Sequence, residues 1–236
     1  MSLPKIDYPL FTINIPSIDK NYKFRPFLVK EEKVLLMAKE SKEPADILMA
    51  IKQIVNNCCT ERGFDVNKLT IFDLELVFIK LRAISVDNIV NLTYKDFEDE
   101  KDYNLQVDLN QVKLTKAENS DTNIKITDKS GIVMKYPSAS LYDDKEFLNL
   151  DKDYMFQLII RCIDKIYFED KVYDAKNYKK QDLEAFLESL SLKTFEAINS
   201  FLMGSPKIEH VITYKNSLGH DRKVTLNSLN DFFTWR

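Results

Sequence analysis

Glycine is scarce in this chain, with four residues among 236. So few glycines exclude a glycine-rich phosphate loop and a dinucleotide-binding fingerprint, because both need closely spaced glycines. The sequence also lacks an apolar run of the roughly 20 residues that cross a bilayer, and residues 1–5 lack the apolar stretch of a signal peptide. We therefore expect a globular protein that stays in the cytoplasm of the cell that makes it.

Cysteine and histidine are also sparse. Cys58, Cys59 and Cys162 have no C-x-x-C spacing, so they predict reduced, buried thiols rather than a disulfide framework or a zinc site. His210 and His220 lie in or beside a predicted hairpin, where a structural or surface role is commoner than that of a general base. No spacing in the sequence brings an acid and a base together. We expect no enzyme activity, no metal site and no cofactor.

Charge is balanced along the chain. The sequence contains 34 basic and 37 acidic residues, which gives a formal net charge of −3. A nucleic-acid-binding protein needs a local basic patch, and the sequence offers only short Lys/Arg clusters. We therefore expect other proteins as partners, and no nucleic acid, membrane or small-molecule substrate.

The spacing of apolar residues predicts both strands and helices. Alternation predicts hairpins over residues 11–25, 90–109 and 208–226, and a shorter strand pair over 124–136. Helical spacing predicts helices over about 29–40, 44–57, 70–84, 155–166 and 183–190, and one more after Ser191. Pro44 is placed at the first turn of the second helix, and Thr70 and Ser191 are predicted N-caps.

These elements predict an α+β fold. Its body is expected to be mainly helical, with peripheral antiparallel hairpins at the N-terminus, in the centre and at the C-terminus. We divide the chain into an N-terminal hairpin and helical core (1–86), a hairpin insertion (87–137), a further helical part (138–206), and a C-terminal hairpin with an aromatic tail (207–236).

Two segments are candidate protein-binding sites. At the strand-to-helix junction over residues 24–38, Phe24 and its apolar neighbours can simply anchor the core, or the charged side chains can contact a partner. The charged candidates are Arg25, Lys30, Glu31 and Glu32.

The aromatic residues near the C-terminus allow the same two interpretations. Phe232, Phe233 and Trp235 can cap the core, or they can dock into a neighbouring subunit as aromatic anchors.

Five segments of this sequence, taken together, point to a known family. They are KFRPFLVKEEK (23–33), AIKQIVNNC (50–58), FDLELVFIKLRA (72–83), GIVMKYP (131–137) and LNSLNDFF (226–233). In the same order, and over nearly the whole chain, they resemble segments of the baseplate hub and hub-assembly proteins of T-even-type contractile-tailed bacteriophages.

The resemblance implies a phage late protein, made in the infected bacterial cytoplasm, that helps to build the hub of the tail baseplate. Two functions follow from it: a structural part that stays in the virion, or a chaperone-like factor that assists hub assembly and leaves. A third interpretation, an adapter with no phage role, requires the resemblance to be accidental.

The sequence departs from this family in one respect. Many family members carry cysteine pairs resembling zinc ribbons in the two later hairpins, whereas residues 93–97 and 216–220 of this chain contain no cysteine. We therefore expect no zinc, and we expect strand pairing and side-chain packing alone to hold these hairpins.

Overall fold

The computed structural model describes residues 6–41, 43–118, 121–150 and 152–232. Its helices are α1 (Val29–Ser41), α2 (Pro44–Cys58), α3 (Ile71–Ser85), α4 (Lys145–Leu148), α5 (Tyr154–Cys162), α6 (Lys180–Glu188), α7 (Leu192–Met203) and α8 (Leu229–Phe232).

The strands lie between these helices and form antiparallel pairs. They are β1 (Phe11–Ile15), β2 (Lys20–Phe24), β3 (Ile89–Lys95), β4 (Asp102–Asp108), β5 (Lys113–Leu114), β6 (Asn123–Thr127), β7 (Ser130–Met134), β8 (Ile163–Phe168), β9 (Lys171–Asp174), β10 (Ile208–Lys215) and β11 (Asp221–Leu226).

The chain forms two compact units. Unit 1 consists of Met1–Thr115 and Lys207–Arg236, and unit 2 consists of Lys116–Pro206. Unit 2 is therefore inserted, in sequence, between β5 and β10, which pair with each other within unit 1.

Unit 1 is built around α3, which is buried on most of its circumference: Leu76, Val77, Phe78 and Ile79 are consecutive, so they point in different directions, and all four are buried. The helix begins at the predicted cap, where Thr70 Oγ1 accepts a hydrogen bond from the Asp73 amide at 3.2 Å. Helices α1 and α2 and the strands of unit 1 complete this core.

In the described part of unit 1, the strands form three small sheets. β1 pairs with β2, β3 pairs with β4, and β10 lies between β11 and β5. Tyr94 stands opposite Tyr103 in the β3–β4 pair, and Tyr214 stands opposite Arg222 in the β10–β11 pair. These four residues lie at the end of each hairpin that is nearest its turn.

Unit 2 combines the four-stranded sheet β6–β7–β8–β9 with α5, α6 and α7. Its core includes Ile132 and Ile159, and the rings of Tyr136 and Phe201 stack with their centroids 4.8 Å apart. Gly131 lies where β7 passes under Tyr167, and a Cβ at this position would collide with the Tyr167 ring. One of the few glycines is thus required by packing.

The structure confirms the α+β fold and most of the predicted elements, including the three hairpins and the cap of α7 at Ser191. It does not confirm a mainly helical body, because four antiparallel sheets occur in the described residues. The division into four segments stays a prediction.

One predicted helix was too long. Helical spacing predicted a helix over 155–166, but α5 ends at Cys162 and Ile163 begins β8. Strand β8 lies between β7 and β9 and pairs with both. Pairing with strands on both edges therefore determines the secondary structure of this segment, since a short apolar run fits a helix or a strand equally well.

Candidate functional site

The predicted charged patch contains an ion pair that faces the protein interior. Glu31 is 1% exposed, and its Oε1 and Oε2 lie 2.9 and 3.2 Å from Nη2 and Nη1 of Arg25. The Leu28 amide donates a further hydrogen bond to Glu31 Oε2 at 2.9 Å. A bidentate pair of this kind has a defined geometry, so it orients α1 relative to the end of β2.

Arg25 also connects this ion pair to the end of α2. Its Nη2 donates to the Asn57 carbonyl at 3.1 Å, and its backbone amide donates to the Cys58 carbonyl at 2.9 Å. The Thr60 amide donates to the Lys23 carbonyl at 2.9 Å. We call this arrangement around Arg25 and Glu31 the junction; it joins β2, α1 and α2.

The pKa values agree with a structural role for the junction. Burial favours the neutral form of Glu31, but hydrogen bonds from Arg25 and the Leu28 amide outweigh it, so the pKa of Glu31 lies below its ordinary value. The hydrogen bond to Glu31 raises the pKa of Arg25. Burial raises the pKa of Cys58 to about 11, so this cysteine is a protonated thiol near neutral pH.

The other two residues of the patch remain at the surface. Lys30 is exposed, with its Nζ 3.5 Å from Glu31 Oε1, and Glu32 is half-buried. Only Lys30 and Glu32 therefore present charge to a partner without rearrangement of the junction. A binding role for the patch stays a prediction.

The aromatic candidates near the C-terminus divide in the same way. Phe232 is fully buried in α8, so it belongs to the core of unit 1 and is not an exposed anchor. Asp231 Oδ2 accepts hydrogen bonds from the amides of Asn227 and Ser228, each at 2.9 Å, which fixes the start of α8. Phe233 and Trp235 lie outside the described residues.

A second polar cluster, which the sequence did not predict, joins the tips of the hairpins β3–β4 and β10–β11. We call it the tip cluster. It consists of Asp96, Glu98, Asp99, Tyr103, Tyr214, Asn216, Ser217, His220 and Arg222.

Asp96 is the buried centre of the tip cluster. Its side chain has no exposed surface, and its Oδ2 accepts hydrogen bonds from Tyr214 Oη and, at 3.0 Å, from Arg222 Nε. Its Oδ1 accepts one from the Glu98 amide at 2.7 Å, which shapes its own turn. A single carboxylate therefore binds both hairpins.

Two further carboxylates extend these contacts. Glu98 Oε2 accepts a hydrogen bond from Asn216 Nδ2 at 2.8 Å, and Glu98 Oε1 lies 2.7 Å from His220 Nδ1. Asp99 Oδ2 accepts hydrogen bonds from the Ser217 amide at 3.0 Å and from Ser217 Oγ at 2.8 Å. The two turns are thus connected at several points rather than one.

Hydrogen bonding sets the ionisation of this cluster. The hydrogen bond from Tyr214 is the main reason that the pKa of Asp96 lies below its ordinary value, and Arg222 adds to it. Desolvation and the hydrogen bond to Asp96 raise the pKa of Tyr214 to about 12. Desolvation opposes ionisation of Asp99, but hydrogen bonds from Tyr103 and Ser217 prevail and lower its pKa. Asp96 and Asp99 are therefore ionised, and Tyr103 and Tyr214 are neutral, near neutral pH.

The joined tips present two apolar side chains to solvent. Phe97 is 83% exposed and Leu218 is 57% exposed, one on each turn. Asn216 Oδ1 accepts hydrogen bonds from the amides of Leu218 and His220 at 3.1 and 3.0 Å. Gly219 occupies the left-handed region at a φ of 84°. Both apolar side chains therefore extend from turns whose backbones are held by hydrogen bonds.

The tip cluster corrects the expectation that strand pairing and packing alone hold these hairpins. Asp96 and Arg222 are 126 residues apart, and Asp96 and Tyr214 are 118 apart. From the sequence alone, the acidic residues of the first turn cannot be told from a solvated tip, because no local spacing reveals a partner so far along the chain. His220 has a partner in this cluster, since its Nδ1 lies 2.7 Å from Glu98 Oε1.

Two general features bear on the kind of site this is. In the part of the chain that the structure describes, no group of three or more His, Cys, Asp and Glu side chains is arranged to bind a metal ion. Within the same residues, no helix is both long enough and apolar enough to cross a membrane.

Comparison with known proteins gives the family. A family model described as T4 bacteriophage base plate protein matches residues 8–234, which is nearly the whole chain. Searches of curated proteins and of solved structures gave no match. The match confirms the resemblance to phage baseplate proteins, and the chain belongs to the T4 bacteriophage base plate protein family.

Proposed function

We propose that this protein is a structural component of the baseplate hub of a contractile-tailed bacteriophage and acts through protein–protein contacts in tail assembly. Membership of a baseplate family supports this proposal, because the match extends over residues 8–234 and so includes both units. We further propose that it acts without catalysis or a cofactor. Its partners are other hub and tail proteins, and it binds no nucleic acid, membrane or small-molecule substrate.

The observation that carries the proposal is the pair of apolar side chains on the joined tips. Phe97 and Leu218 are exposed, while the hydrogen bonds of the tip cluster fix the turns that bear them. A side chain on a fixed turn loses little conformational freedom on binding. In many protein interfaces, a few side chains near the centre contribute most of the binding energy.

A second candidate function is a chaperone-like factor that binds hub subunits during assembly and is absent from the virion. The same exposed apolar side chains favour it, since transient binding also needs an accessible apolar surface. In either function, the protein is made late in infection, in the host bacterial cytoplasm, and binds hub proteins there.

Counting the protein in mature particles tests the proposal. Purified DNA-filled virions and isolated tails are analysed by quantitative mass spectrometry, with the tail tube subunit as internal standard. A host cytoplasmic protein measured in the same samples reports contamination. A fixed ratio to the tube subunit supports a structural hub component. Presence in infected-cell lysates with absence from both particles contradicts it and supports the assembly factor.

A further inference from the structure

A groove in unit 1 lies between two strand edges. It has a volume of about 530 Å³, and α3 contributes Leu76 and Ile84 to its floor. Ile13 and Val112, which also line it, are buried. The floor is therefore apolar and continuous with the core of the unit.

The walls of this groove are strand edges rather than strand faces. Consecutive residues of β1, from Phe11 to Asn14, line one side, and Val112 to Leu114 line the other. Side chains of successive strand residues point to opposite faces, so only an edge presents consecutive residues to one cavity. Among the described residues, β1 pairs with β2 alone and β5 with β10 alone. Each strand therefore has one edge with no partner strand.

The charge of the groove has one sign. Lys80 and Lys113 line it, and none of the described residues that line it is a carboxylate. Lys80 is fixed in place, since its Nζ donates to the carbonyls of Leu109, Asn110 and Val112 at 3.2, 2.7 and 3.1 Å. Desolvation lowers the pKa of Lys80, while Lys113 is exposed beside it. A carboxylate brought into the groove would complement both amines.

We propose that this groove binds an extended, acidic segment of a partner protein by strand addition along β1. The backbone of the segment pairs with the free edge of β1, every second side chain contacts the apolar floor, and a carboxylate lies near Lys113. A helix satisfies its own backbone groups and cannot pair with a strand edge, so the edges select an extended segment. That the partner is a baseplate protein rests on the proposed function; the chemistry of the segment does not.

Selection from a displayed library of random dodecapeptides on the immobilised full chain tests this inference. We expect enriched peptides to alternate apolar and polar residues and to carry Asp or Glu. Enriched peptides with apolar residues at helical spacing, or no enrichment over the bare support, would overturn the proposal. The selection uses no phage particle, so its failure leaves the virion count unaffected, and the reverse also holds.

Affinity measurements on the best selected peptide locate its site. By fluorescence anisotropy we expect Lys113→Glu and Thr12→Glu each to weaken binding by about tenfold or more, because they oppose the acidic segment at either wall. Lys223→Glu and Thr225→Glu are matched controls, because both residues occupy exposed positions of β11 that lie outside the groove. Equal affinity for the groove variants and the controls would contradict the assignment.

Backbone modification tests strand addition itself. Methylation of alternate amide nitrogens of the same peptide removes donors from one edge only. We expect one methylated series to bind about tenfold or more weakly, since several edge hydrogen bonds are lost, and the complementary series to bind almost unchanged. Equal binding of both series would exclude pairing with β1.

Discussion

The junction and the tip cluster are both built on buried carboxylates, yet they differ in the distance along the chain over which they act. Glu31 pairs with Arg25, which is six residues away in the sequence, whereas Asp96 pairs with Arg222, which is 126 residues away. The junction orients neighbouring elements inside unit 1, and the tip cluster fixes two turns that face solvent. A conspicuous charged motif can therefore serve folding, while the surface that we propose for binding is assembled from residues that look unrelated in sequence.

The largest effect should come from breaking the junction. Glu31→Ala leaves the Arg25 guanidinium without its carboxylate, and loss of one partner from a buried ion pair typically costs about 3–5 kcal/mol. We expect a loss of this size in the free energy of unfolding, measured by urea denaturation. Glu40→Ala, at an exposed position of the same helix, is the control. Equal free energies of unfolding for the two variants would show that the junction does not stabilise the fold.

Removing the charge of Asp96 should have a smaller and local effect. Asp96→Asn keeps the shape of the side chain but weakens its hydrogen bonds to Tyr214 and Arg222. We expect faster amide hydrogen exchange in both turns and unchanged protection in α1 and α2. Asp102→Asn, at an exposed position of β4, should leave exchange in the C-terminal turn unaltered. Faster exchange in the first turn alone would show that the hairpins are not coupled.

Alkaline pH should destabilise the tip cluster and the junction over different pH ranges. The folded pKa of Tyr214 is raised to about 12 from 10.0. Its contribution to stability is therefore complete below pH 10 and is lost as the pH rises through the folded pKa. We expect the tip turns to loosen in this window, as measured by hydrogen exchange together with tyrosinate absorbance. The junction should respond at a lower pH, because the pKa of the Cys58 thiol, which lies 3.7 Å from Arg25 Nη1, is raised to about 11. Tyr214→Phe should remove most of the effect in the tips.

Acid should destabilise the junction and the tip cluster over the same pH range. The pKa values of Glu31, Asp96 and Asp99 all lie below their ordinary values. Each carboxylate contributes stability above its unfolded pKa and loses it as the pH falls through the folded pKa. Both regions therefore weaken together at low pH. The stability of the two regions can therefore be measured separately only at alkaline pH.

The smallest effect on stability should come from the exposed anchors. Phe97→Ser with Leu218→Ser removes apolar side chains that make few internal contacts, so the free energy of unfolding should change by no more than about 0.5 kcal/mol. Under the proposed function, incorporation into tails should fall strongly, as counted by mass spectrometry. Val29→Ser, at an exposed position beside the junction, is the matched control. Normal incorporation of the double variant would show that Phe97 and Leu218 do not form the contact with the partner.

Local features of the sequence predicted much of the fold. The cap at Thr70, the start of α2 at Pro44 and the alternation in the hairpins each depend on neighbouring residues, and each was confirmed. The end of α5 was not predicted, because pairing of β8 with both neighbouring strands overrides helical spacing.

The candidate sites were predicted less well for the same reason. Arg25 and Glu31 were visible as charged residues, but their burial depends on the end of α2, which lies about thirty residues further along the chain. Asp96 and Tyr214 carry no local sign of each other. Contacts between distant segments decide both sites, and a single sequence does not reveal them.

The insertion of unit 2 sets an order of events during synthesis. Residues 116–206 leave the ribosome after β5 and before β10. Bacterial translation at roughly 5–20 residues per second delays the partner strand by on the order of 5–20 seconds. During this interval Asp96 has neither Tyr214 nor Arg222. A protein that binds the joined tips therefore recognises only chains whose translation has passed the second hairpin, and it excludes nascent ones.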